Sequence, residues 1–129
     1  MKITEKEIIE GNILIAKFMN HKIWVVKHYE GDEQSDREEI SVSDYDKILA
    51  RGFGLDIYAR PFHYSWNLLM PVVEKIHSDT DFWVTIYYRS CKIFPMQAGV
   101  EMEIHIEEKP TIEAVWLAVV EFIKWLNRK

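Results

Sequence analysis

The run Phe82-Trp83-Val84-Thr85-Ile86-Tyr87-Tyr88-Arg89 decides the fold class. Its β-branched and aromatic residues read as a strand. Trp83, Thr85 and Tyr87 share one face, and Phe82, Val84, Ile86 and Tyr88 share the other. Apolar character on both sides predicts a central strand covered on both faces. Arg89 and Ser90 then turn the chain into a short strand, Cys91 to Phe94, ended by Pro95, and Gln97 to Gly99 make a second turn. From Val100 to Glu107 the chain alternates, with Val100, Met102, Ile104 and Ile106 expected inward and Glu101, Glu103, His105 and Glu107 outward. Turns this short force antiparallel pairing, so the three strands form a meander.

Beyond the meander, Pro110 and Thr111 open a helix over Ile112 to Asn127. Apolar residues occupy more than one of its faces, which predicts burial by a sheet, by a neighbouring helix or by a second subunit. Val115, Trp116, Val119, Phe122, Ile123 and Leu126 form its main arc. Leu117, Val120 and Trp125 spill past that arc and are the candidate interaction surface. A symmetric homodimer through this helix would hide them.

Before the meander, Ser65 predicts the N-cap of a helix over Trp66 to His77. Its expected buried stripe is Trp66, Leu69, Met70, Val73 and Ile76, and Pro71 should bend it. Leu55 to Ala59 alternates as a strand that Pro61 ends, and Ser43 or Asp46 starts a short helix through Tyr45, Ile48 and Leu49 to Gly52. Glu30 to Glu39 holds Glu30, Asp32, Glu33, Asp36, Glu38 and Glu39 against Arg37 alone, with no large apolar residue. Like charges repel and nothing is available to bury, so a mobile acidic loop is expected over about 30–40. Lys22 to Tyr29 reads as a strand. Thr4 and Glu7 make a capping box for a first helix ending near Asn20, with Ile8, Ile9, Ile13, Leu14, Ala16, Phe18 and Met19 as its stripe. The fold class is α+β: a largely antiparallel sheet with N-terminal, middle and C-terminal helices packed on it in two or three layers.

The 129 residues suit a single domain spanning 1–129. Lys plus Arg is 16 and Asp plus Glu is 21, a net charge of −5. An acidic chain without clustered cations is repelled by phosphate backbones, so no nucleic-acid partner is expected. The start is charged and no segment is long and apolar enough for a bilayer, so neither a secretory signal nor a membrane partner is expected. Cys91 is the only cysteine, which fits a reducing cytoplasm.

Candidate chemistry is thin. Glu101, Glu103, His105 and Glu107 share a strand face, but alternate residues lie about 7 Å apart, so one strand offers one ion at most two ligands. The reading is a solvated face, with no metal site. His63 beside Ser65 lacks a glycine-flanked nucleophile elbow, and an N-cap accounts for the serine. His21, His28 and His77 have no zinc-ligand spacing. Asp44 and Asp46 suit a helix start, and Gly52-Phe53-Gly54 lacks the lysine of a phosphate loop. Lys92 would lower the Cys91 thiol pKa if the two met, although a strand cysteine suits a core. Trp66, Trp116 and Trp125 are core or partner anchors. No catalytic residue, cofactor-binding residue or cofactor is expected.

The run Ser65-Trp66-Asn67-Leu68-Leu69-Met70-Pro71-Val72-Val73-Glu74-Lys75-Ile76 resembles a signature of small uncharacterised proteins from tailed phages and prophages of gut bacteria, S-W-D-W-L-M-P-V-V-E-K-I. Thr111 to Asn127 resembles their closing helix, I-E-A-V-x-x-A-V-V-E-F-I-K-W, and Glu10-Gly11-Asn12 through Phe18-Met19 resembles their opening. Asn67 and Leu68 depart from the usual Asp and Trp. The resemblance covers the two ends and the middle helix. It implies an α-β-α sandwich and a phage setting, with no reaction attached. The expected function is a phage or prophage accessory protein that binds itself or a host protein. The alternatives are a small-ligand or nucleotide-binding protein, and an acidic decoy of a basic host surface.

Overall fold

The computed structural model describes residues 3–21, 23–27, 36–40, 55–97 and 99–128. The fold is α+β. Contact density divides the chain into two compact units, Met1–Arg60 and Pro61–Lys129.

In the first unit, helix α1 spans Glu5–Met19. The Glu7 N–H donates to Thr4 Oγ1 and that hydroxyl donates to Glu7 Oε1, each at 3.1 Å. The Thr4 cap thus forms as the spacing predicts, while the Glu7 carboxylate takes the Thr4 hydroxyl in place of the reciprocal backbone bond of a full capping box. Asn20 ends the helix in a left-handed conformation (φ 56°), and the His21 N–H reaches the Ala16 carbonyl at 2.9 Å. Helix α1 packs on strand β3 (Leu55–Tyr58). That strand and β2 (Asp36–Ile40) flank β1 (Ile23–Lys27), both antiparallel, in the order β2-β1-β3.

Strand β2 corrects the expected loop. Its register runs from Ile23 opposite Ile40 to Lys27 opposite Asp36. An edge strand takes its order from backbone hydrogen bonds to one neighbour, and charged residues suit its open side. The apolar anchors whose absence suggested a loop are therefore not required. The first part of the expected loop, 30–35, lies outside the described residues, as do the short helix expected from Ser43 to Gly52, the Asp44 and Asp46 pair, and Gly52 to Gly54.

In the second unit, helix α2 (Trp66–Asp79) leads into β4 (Phe82–Tyr87), β5 (Ser90–Pro95), β6 (Ile104–Ile106) and helix α3 (Thr111–Asn127). The sheet order is β4-β5-β6, antiparallel throughout, as the meander reading requires. Among the described residues β4 is an edge strand, however, and not the central one expected. Helix α2, which leads into β4, packs against it. Proline enters β5 at no cost to the ladder. Pro95 stands opposite Phe82, and the bond that closes this end runs from the Met96 N–H to the Asp81 carbonyl at 2.8 Å. Alternation then turns Pro95's missing donor away from β4.

Helix α3 packs on all three strands and on α2. Ala114, Val115, Trp116, Ala118, Val119, Val120, Phe122 and Ile123 are buried. At 100° per residue these cover an arc of about 240°. The helix is buried on most sides, as its composition predicts, and one chain achieves it. Phe122 meets Phe82 edge-to-face at 5.0 Å and stacks with Trp125 at 6.0 Å.

Candidate interaction surface

Alternation in the second sheet sorts its side chains onto two faces. Val84, Cys91 and Ile93 are buried, with Ile86, Ile104 and Ile106 half-buried beside them. The register places Val84 across from Ile93 and Ile93 across from Ile104, so one face is apolar from edge to edge. The opposite face carries Trp83, Thr85 and Tyr87 of β4, Lys92 and Phe94 of β5, and His105 of β6. Its pairs are Trp83 with Phe94, Thr85 with Lys92, and Lys92 with His105.

Aromatic residues on this second face remain in water. Trp83 is 48% exposed, Tyr87 53%, and Tyr88, at the hairpin tip, 87%. The expectation that β4 is covered on both faces is thereby corrected. Such rings on one hairpin are unusual unless something covers them, because large aromatic residues carry most of the apolar area that folding hides. The charges between them are paired. Lys92 Nζ lies 2.9 Å from Glu103 Oε1 and 5.7 Å from the Phe94 ring centre. The Glu103 hydrogen bond and charge hold the Lys92 ammonium above its ordinary pKa. His105 Nε2 lies 3.1 Å from Glu107 Oε1, an ion pair when the imidazole is protonated.

At the tip, Arg89 has a left-handed backbone (φ 59°), as does Glu108 on the chain leaving β6 (φ 60°). The two segments are tied together. The Arg89 N–H donates to Thr111 Oγ1 at 3.1 Å, and the Lys109 N–H donates to the Arg89 carbonyl at 3.3 Å. An open depression of about 600 Å³ beside them is lined by Tyr88, Arg89, Ser90, Glu107 and Glu108.

The residues singled out on the closing helix lie elsewhere. Val120 is buried, at 5% exposure, while Leu117 and Trp125 are half-buried, and Trp125 meets Phe82 at 5.3 Å. The chain's own packing takes up most of the surface that a second subunit was invoked to hide. Trp116 is core. Trp66, expected in the core, is 39% exposed, and Met70 is 37% exposed. Leu69, Val72, Val73 and Ile76 form the buried arc of α2, which turns its centre about 50° from the expected stripe.

The remaining chemistry stays dispersed. Ser65 is the N-cap of α2 by position, but its hydroxyl makes no capping bond. Burial lowers the pKa of the neighbouring His63 imidazole, whose ring lies 6.4 Å from Trp116. Cys91 is fully buried, and desolvation pushes its thiol up to about 12, the reverse of the effect Lys92 would have had. Among the described residues no three His, Cys, Asp or Glu side chains gather as a metal site, and no helix is long and apolar enough to cross a membrane. No family model matches the chain, and neither a curated protein nor a solved structure matches it.

The exposed rings on β4 were missed because both β4 faces read as apolar. The signal that would have found them is Lys92 together with His105. Their register marks the whole Trp83 face as the wet one.

Proposed function

We propose that this chain is a phage- or prophage-type accessory protein of the bacterial cytoplasm that acts by binding a protein partner through the outer face of its second sheet. The carrying observation is the exposure of Trp83, Tyr87 and Tyr88 on one hairpin. Rigid aromatic residues of this kind anchor protein interfaces. The surrounding Glu103, Glu107, Lys92 and Arg89 supply the polar rim such interfaces carry. The phage setting rests on the sequence runs at the two ends and the middle helix.

A photo-crosslinking residue placed at position 88, with one at Glu121 as an exposed control, tests the reading in bacterial lysate and in purified protein. The expected result is a discrete adduct from position 88 alone. The adduct mass tells a second copy from a host protein, and equal labelling from both positions removes the proposal. A second reading, a small-ligand protein, is favoured by the depression beside Tyr88 and Arg89. Chemical shifts confined to Tyr88, Ser90 and Glu107 on titration with a small-molecule library would select it.

A further inference from the structure

Strand β4 carries a hazard along its open edge. The Asp81 carbonyl points toward β5, where it accepts from Met96. Alternation therefore directs the backbone N–H and C=O groups of Phe82, Val84 and Ile86 to the opposite side, where no described strand pairs with them. The strand reads Phe-Trp-Val-Thr-Ile-Tyr, six β-forming residues with no charge and no proline. That composition on a sheet edge favours pairing with another copy of itself. The opposite edge of the sheet is protected in the usual way, because β6 and its flanks carry Glu103, His105 and Glu107. No residue of β4 does the same.

A side chain from another element takes that place. The Val84 N–H donates to His77 Nε2 at 2.9 Å, and the Val84 carbonyl oxygen lies 3.3 Å from the same nitrogen. The imidazole ring also meets Trp83 edge-to-face at 5.5 Å. Because Nε2 accepts from Val84, the neutral ring carries its proton on Nδ1. His77 thus stands where the backbone of an incoming strand would have to lie.

We propose that the β4 edge is a latent pairing surface for a second copy of this chain, and that His77 holds it shut. The pairing would be antiparallel about a two-fold axis at Val84. Val84 would face Val84, and Phe82 would face Ile86, so the outward backbone groups of the two strands match one another. Two three-stranded sheets would join into one.

Sedimentation of the full-length chain across micromolar concentrations tests this, with His77→Ala, His77→Gln and His77→Asn compared with the unmodified protein. The alanine variant should associate at a concentration at least about tenfold lower. Glutamine places Oε1 near the position of Nε2 and should behave as the unmodified chain. Asparagine stops short of Val84 and should behave as alanine. Adding Ile86→Pro to His77→Ala should restore the original mass, because that N–H faces the open edge and proline there costs no ladder bond. Unchanged mass for His77→Ala would overturn the proposal, as would association that Ile86→Pro leaves intact. If the alanine variant does not fold, the asparagine variant decides. Failure of both to fold would make His77 a packing residue and remove the guard.

Discussion

The two faces of the β4-β5-β6 sheet both carry large apolar residues and meet opposite fates. One sets Val84, Cys91 and Ile93 in the core; the other leaves Trp83 and Tyr87 in water. Hydrophobicity alone does not separate them, since tryptophan and tyrosine bring more apolar area than valine. The difference comes from what covers each face. Helix α3 crosses all three strands, and its small and branched residues Ala114, Val115, Ala118 and Val119 are all buried. Stability should therefore reside in the α3 side of the sheet, which leaves the aromatic side free for the proposed recognition.

The sharpest way to break this contrast is at α3 itself. Trp116→Ala should cost about 3–5 kcal/mol, whereas Glu121→Ala, on the exposed strip of the same helix, should stay within about 0.5 kcal/mol. Urea midpoints measure both, and equal midpoints would abolish the distinction. Across the sheet, Ile93→Ala should cost about 2–5 kcal/mol and Trp83→Ala less than about 1 kcal/mol. A larger loss at Trp83 would mean that the aromatic face is packed as tightly as the other. Cys91 offers a kinetic reading. A buried thiol raised to about 12 has almost no thiolate at neutral pH. Its reaction with a thiol reagent in the folded chain should be at least about a hundredfold slower than in urea, with opening as the limiting step.

The smallest effect concerns His63. Burial holds its folded pKa below the ordinary 6.5. The folded chain therefore binds fewer protons than the unfolded chain as the solution is acidified. The stability His63 contributes is whole above that ordinary value and is lost as pH falls through the folded one. Between about pH 7 and about pH 5, His63→Gln should lose less of its melting temperature than the unmodified chain, by a degree or two. Identical losses would place the imidazole in water.

Local patterning accounts for much of the fold. The Thr4 and Glu7 spacing, the start of α2 after Ser65 and part of the alternation expected from Val100 to Glu107 each act within a few residues; the strand there is Ile104–Ile106, and Val100, expected inward, is exposed. What could not be read was the identity of neighbours. Strand β2 is ordered by its pairing with β1, which the acidic run Asp36 to Glu39 does not announce. Trp66 and Met70 sit one step off the buried arc of α2, because Val72 completes it. Val120 looked surplus on α3 because the sequence does not say how many layers cover a helix. The candidate surface moved from helix to sheet for the same reason. A doubly apolar strand reads alike whether it is central or at an edge with one wet face.

Arg89 and Glu108 give the hairpin end a different significance for anyone wishing to engineer this chain. Both are branched-out side chains in a backbone region where glycine sits freely and other residues do so at about 1 kcal/mol or more. Arg89→Gly and Glu108→Gly should each leave the melting temperature level or raise it, while removing a guanidinium and a carboxylate from the rim of the depression. Thermal robustness and surface chemistry can thus be varied against each other at two positions without touching the core. A variant that gains heat resistance there and loses the proposed crosslink at position 88 would measure the recognition value of those two side chains separately from their contribution to the fold.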